Sequence, residues 1–212
     1  MKMRIASLTI LCLALAAIPA WADWDNGPIN GTTDAWTINF GYVVSDSYNS
    51  NGSTVTGFMF GVWEFPGDVL SSVDWSITSG ENSGTVYGSG TASGKNLTDQ
   101  FISTNQYGYD IDKITVSGLG VTEQNGNTYW LNLQNAAVPS GDPVYWDENS
   151  GAGCGGSGCP AKASESSLGT IASEAFTINS GSGTGTTPEP SSIMLFGSGI
   201  LGLAGVLRRK LF

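Results

Sequence analysis

The stretch Thr54–Phe65, TVTGFMFGVWEF, decides the fold class. Its β-branched and aromatic residues suit a pleated backbone, and apolar side chains fall on both of its faces. A strand of this kind must be covered on both sides, so it is predicted to be central. Outward from it, alternation with one apolar face recurs. Trp36, Ile38 and Phe40 share a face of AWTINF, and Val73, Trp75 and Ile77 share a face of SVDWSIT. Tyr129, Leu131 and Leu133 do so in TYWLNL, and Phe176 and Ile178 in EAFTI. The phase changes between Ile111 and Ile114 in GYDIDKITVSGL, which predicts a bulge. Asn125-Gly126 in EQNGNTY predicts a turn between two strands. Roughly eight to ten short strands, with turn residues about every ten positions, predict an all-β fold, an antiparallel β-sandwich of jelly-roll type. Between the termini nothing shows the 3.6-residue period of a long helix, which argues against a parallel βαβ sheet.

Composition narrows the chemistry. The 212 residues include 30 glycines, only 12% charged residues and no histidine. Catalysis by Ser-His-Asp or Cys-His pairs and imidazole metal ligation are therefore excluded. Residues 23–187 hold Lys95, Lys113 and Lys162 against 17 acids, a net charge of −14. Such a surface repels nucleic acid and anionic lipid, so nucleic acid is not an expected partner, while cations and neutral sugars are compatible with it.

The two ends read as signals. The start, MKMRIASLTILCLALAAIPAWAD, has basic Lys2 and Arg4, an apolar run from Ile5 to Ile18, and small Ala20 and Ala22 around Trp21. This predicts a cleavable signal helix over residues 1–22, cut after Ala22. At the other end, Ile193 to Leu207 is a run of fifteen residues without a charge, flanked by Arg208, Arg209 and Lys210. As a helix it spans roughly 22 Å, short of a hydrocarbon core of about 30 Å, and snorkelling basic residues make up the difference. A transmembrane helix with its basic end in the cytoplasm and the domain outside is expected. NSGSGTGTT, residues 179–187, reads as a flexible tether, leaving 23–178 as the folded ectodomain.

Pro188-Glu189-Pro190, the apolar helix and Arg208-Arg209-Lys210 together resemble the PEP-CTERM sorting tail of Gram-negative bacteria, here residues 188–212. The resemblance implies an exosortase as processing partner and carriers linked to extracellular polysaccharide. It implies an exported protein held at the inner membrane, then placed at the cell surface or outside the cell. Pro188 and Pro190 keep the segment extended, the form that protease active sites hold. Whether the tail is removed or stays as an anchor is open at this stage. YWLNLQNA and VYWDENSG also resemble ectodomains that precede such tails, which bears on fold and not on activity.

The expected role of the ectodomain is structural or interactive, with no catalytic residues. The alternative is a carbohydrate-binding module, with or without calcium. For it, PVYWDENSGAGC supplies Tyr145 and Trp146 beside Asp147, Glu148 and Asn149, flat rings next to acceptors for hydroxyls. A competing reading puts Trp146 in the core and the acids in a solvated turn. Asp147 and Glu148 would point to opposite faces of a strand, so they do not make a glycosidase pair. Calcium candidates are Asp23 and Asp25 in DWDNG, and Asp110 and Asp112 on one strand face of YDID. Both pairs also read as plain exposed acids. Cys12 leaves with the signal, and Cys154 and Cys159 in CGGSGC are expected to form a disulfide worth about 2 kcal/mol in the chain-entropy estimate.

Overall fold

The computed structural model describes residues 22–149 and 163–181. The signal segment with Ala20, the Cys154–Cys159 pair, the tether from 182 onward and the whole tail lie outside them. Thirteen strands follow in order: β1 Ala22–Asp25, β2 Ala35–Thr37, β3 Val43–Asn49, β4 Thr54–Glu64, β5 Ser72–Gly80 and β6 Ser83–Ser93. Then come β7 Leu97–Thr104, β8 Asp110–Thr122, β9 Thr128–Ala137, β10 Tyr145–Asp147, β11 Ala163–Glu165, β12 Gly169–Ile171 and β13 Phe176–Gly181. A 3₁₀ turn, Gly94–Asn96, joins β6 to β7.

These strands make two antiparallel sheets. In the first, β7 pairs β8 and β8 pairs β4. The far edge of β4 is shared, by β13 along Thr54–Phe60 and by β10 at Val62 and Trp63. Outside these lie β1 on β13 and β2 on β10. The second sheet runs β12-β11-β3-β9-β5-β6. β4 is thus central, as its two apolar faces require, and contributes Phe58, Phe60 and Val62 to the core between the sheets. Val73, Trp75, Ile77, Tyr129, Leu131 and Leu133 meet them from the second sheet.

The antiparallel sandwich is as expected, and its sheet orders β1-β13-β4-β8 and β3-β9-β5-β6 are those of the two four-stranded sheets of a jelly roll, with β7 added beside β8. Three expectations are corrected. Phe40 leaves the buried face, because the chain turns after Ile38 and Phe40 sits exposed at φ 54°. The phase change in β8 is not a bulge of that strand against β4, whose register is regular from Asp110 to Ser117. Ile111 simply faces outward, under a loop, and the irregularity at this level belongs to β7, between Phe101 and Ser103. Finally, β13 continues through Gly181, three residues beyond the expected boundary at Ile178, because Asn179, Ser180 and Gly181 keep pairing with β4.

Candidate functional site

Alternation along β4 sends Val62 into the core and Trp63 to the outer face of the first sheet. β10 copies this pattern beside it: Trp146 pairs with Val62 and points inward, while Tyr145 pairs with Trp63 and points outward. The hairpin between β7 and β8 adds Tyr107 and Tyr109. Its tip is held by Asn105, whose Oδ1 accepts from the backbone N–H groups of both tyrosines at 3.0 Å. Thr33, Asp34 and Ala35 close the remaining side. The result is an open groove of about 370 Å³ lined by Trp63, Tyr107, Tyr109, Tyr145 and this segment.

The rings touch in a chain. Trp63 stacks on Tyr107 with centroids 5.8 Å apart and planes at 24°. Tyr109 meets Trp63 at 5.9 Å, and meets Tyr145 edge-on at 5.7 Å and 78°. Tyr107 is 58% exposed, so its outer surface is free for contact. Burial first, and then Tyr109, raise the pKa of the Tyr145 phenol, which keeps it a neutral hydroxyl.

Asp147 fixes the floor. Its Oδ1 accepts from the Trp63 indole N–H at 2.6 Å and from Gly31 N–H at 3.0 Å, and its Oδ2 from Asn30 N–H at 2.8 Å. Burial pushes its pKa up, and these three donors pull against that shift. The loop they tie down presses on the sheet. Gly31 has φ +63°, and a Cβ there would lie 2.6 Å from Ile111 Cγ1. A Cβ on Gly61 would lie 2.7 Å from Ile29 Cγ2, so both sides of this contact require glycine.

Of the five residues expected to bind sugar, only Tyr145 reaches the groove. Trp146 is fully buried, packs edge-on against Phe60 and Phe176, and donates its indole N–H to Ala175 O at 3.0 Å. Its ring is core, which corrects the expectation of a second stacking platform. Asp147 is buried beneath Trp63 as described. Glu148 is buried as well and accepts from the Trp36 indole at 3.2 Å. Asn149 donates to Glu174 O at 3.0 Å and to Asn26 O, so it joins strands inside the protein. The acids are therefore not a solvated turn either.

The calcium candidates also separate. Asp25 is exposed and its Oδ1 caps the turn at Gly27 N–H, 2.9 Å away; the neighbouring Asp23 has its backbone in β1. Asp110 and Asp112 do share a face, the inner one, with Glu64 of β4 opposite Asp110. There they stand near Asp68 and Asp99. Leu70 N–H donates to Asp99 at 2.7 Å, and Gly67 N–H and Thr104 Oγ1 donate to Asp110 at 3.2 and 3.0 Å. The Glu64 carboxyl is fully buried and neither oxygen has a hydrogen-bond partner. Burial, then Asp99, Asp112, Asp68 and Asp110, raise its pKa to about 8. Burial, Asp99 and Asp110 raise that of Asp112 to about 7. Even so, among the described residues no group of three or more His, Cys, Asp or Glu side chains is placed to hold a metal ion.

A second buried acid pair lies behind β10. Asp46 accepts from Glu174 N–H, Ser173 Oγ and Asn26 Nδ2 at 2.7, 2.9 and 3.0 Å, and burial brings its pKa to about 7. Glu174 has both carboxyl oxygens buried without partners, and burial followed by Asp46, Glu148 and Asp147 holds its pKa well above the carboxylate range.

The sequence reading missed Trp63, Tyr107, Tyr109 and Asp34. Tyr107-Gly108-Tyr109, two rings astride a glycine at a hairpin tip, was the available signal, since a turn has no core to give them.

Beyond the described residues, the profile of the PEP-CTERM protein-sorting motif matches residues 186–210. The chain carries a PEP-CTERM sorting tail. It is accordingly an exported protein sorted by an exosortase, membrane-associated before processing and at the surface afterwards. The match begins two residues before the expected Pro188 and takes in Glu189, Pro190 and the basic triplet through Lys210. It covers the tail alone. No curated protein matches the chain, so the activity of the PEP-CTERM carrier's ectodomain must be argued from its groove.

Proposed function

We propose that this PEP-CTERM protein serves at the cell surface by binding rather than by catalysis, and that the outer groove of its sandwich takes saccharide units of extracellular polysaccharide. The observation that carries this reading is the ring of Trp63, Tyr107, Tyr109 and Tyr145 around an open groove with one exposed carboxylate, Asp34. Aromatic faces cover the apolar face of a sugar, and hydroxyls and a carboxylate at the rim accept its OH groups. One exposed carboxylate among the described residues also fits a groove that binds without cleaving. Hydrolysis of a glycosidic bond takes two carboxyls flanking it, and among the described residues no carboxylate other than Asp34 lines the groove. The chain has no histidine to supply another acid or base.

The test is affinity electrophoresis of the mature exported protein in gels containing the host's extracellular polysaccharide, with calcium and with EDTA. The expected result is retardation in both buffers, weakened in Tyr107→Ala while that variant keeps the melting temperature of the parent. Migration unaffected by polysaccharide in either buffer overturns the reading and leaves a surface protein whose partners are proteins.

A further inference from the structure

We infer that the groove selects sugars bearing a free, protonated amine, so that its ligand is a cationic amino-sugar polymer rather than a neutral glycan. The inference rests on the saccharide reading of the groove and deepens it.

Ring geometry is the first argument. A neutral sugar face is best served by one flat platform. The Trp63–Tyr107 pair, at 24°, supplies such a platform, but Tyr109 and Tyr145 cross at 78°. Tyr109 and Tyr145 thus add aromatic surface at another angle to the Trp63–Tyr107 platform, and a compact cation gains from contact with aromatic faces.

Charge is the second argument. Among the described residues no Lys or Arg lines the groove, and Asp34 supplies its one carboxylate. Asp34 spends Oδ1 on the neighbouring Ala35 N–H at 2.9 Å, and its other oxygen is open to a ligand. The domain around it is strongly acidic, with 17 acids against three lysines over residues 23–187. An anionic, uronate-rich polymer is repelled by this surface, and an ammonium is drawn to it. An amine on the sugar ring meets both features at once, the carboxylate of Asp34 and the faces of the rings.

The experiment compares two forms of one polymer. The mature exported protein is run at pH 6 in gels containing a β-linked glucosamine polymer, and in gels containing the same polymer after complete N-acetylation. The amine form should retain the protein roughly tenfold more strongly, the combined scale of one cation–π contact and one exposed ion pair. Asp34→Asn should lose a large part of this preference yet still be retained by the acetylated form. Glu81→Gln, an acid in the turn between β5 and β6 of the other sheet, should keep it. Equal retention by the two forms overturns the amine selectivity and leaves the saccharide reading standing. Equal losses in Asp34→Asn and Glu81→Gln also overturn it, since bulk attraction then explains the effect. Retention by neither form, together with no retention on the host polysaccharide, overturns the inference and the saccharide reading alike.

Discussion

Trp63 and Glu64 are neighbours in sequence and stand on opposite faces of the same strand. Around Trp63 every polar demand is met: its indole has Asp147, and Asp147 has two further backbone donors. The rings beside it nonetheless remain open to solvent. Around Glu64 the opposite holds, with a fully buried carboxyl, no hydrogen-bond partner and four more acids close by. The same contrast separates Tyr145 from Trp146 on β10, one at the groove and one in the core. The outer face of this sheet keeps aromatic surface exposed around Trp63. The inner face near Glu64 is organised for burial, and burial raises the pKa of Glu64 and Asp112 there.

The largest effect should come from the inward member of the β10 pair. Trp146→Ala removes a buried indole that touches Phe60 and Phe176, at a cost on the order of 3–5 kcal/mol. Thermal unfolding of the variant should show a large fall in Tm or no cooperative transition. A well-folded Trp146→Ala variant that has lost polysaccharide retention would place this ring in the binding site and break the contrast.

Asp147 comes next. Asp147→Ala leaves the Trp63 indole and two backbone N–H groups without acceptors, each loss costing about 1–3 kcal/mol. Both stability and retention should drop, because Trp63 and the loop at Asn30–Gly31 lose their common anchor. Asp147→Asn keeps one acceptor oxygen and should recover part of both.

The acidic interior sets a pH dependence. Glu64 titrates at its ordinary value of 4.5 when the chain is unfolded and at about 8 when folded. Asp112 and Asp46 rise from 3.8 to about 7 on folding. As pH rises, the unfolded chain releases these protons first, so it binds fewer protons than the native state across this window. Stability is therefore fully present below about pH 4 and falls progressively toward pH 8, opposite in sign to ordinary acid denaturation. Melting curves across this range should show Tm declining with pH. Glu64→Gln, which cannot ionise, should flatten the decline between pH 5 and 8.

Smallest in stability, and most specific in function, is Tyr107→Ala. The side chain is largely exposed, so Tm should change by no more than the equivalent of about 0.5 kcal/mol. Retention on polysaccharide should still fall, roughly tenfold, with the loss of one stacking face.

How far the sequence discloses all this depends on whether a residue's fate is local. Alternation is a local property, so the central strand Thr54–Glu64 and the inward faces at Val73–Ile77 and Tyr129–Leu133 were legible. The register of each pairing was not, because strand lengths and turns do not say which residue meets which across a sheet. The groove is harder still. Trp63, Tyr107 and Tyr145 come from three separate segments, and only pairing of β4 with both β8 and β10 brings them together. Tyr145 to Asn149 looked like a compact site because the residues adjoin in sequence. On a strand such adjacency scatters them over opposite faces, and here a covering loop then buries Asp147 as well. The tail was readable without any structure, since its information lies in composition and order: Pro-Glu-Pro, an uncharged run, then basic residues.

The central claim is that the outer face of the first sheet at Trp63 is the binding surface. Hydrogen–deuterium exchange of the mature protein, with and without the host's extracellular polysaccharide, tests it most directly. The account predicts added protection confined to Thr33–Ala35, to the hairpin tip from Asn105 to Tyr109, and to Tyr145. Protection centred instead on β5 and β6 of the other sheet, with these segments unchanged, would contradict it.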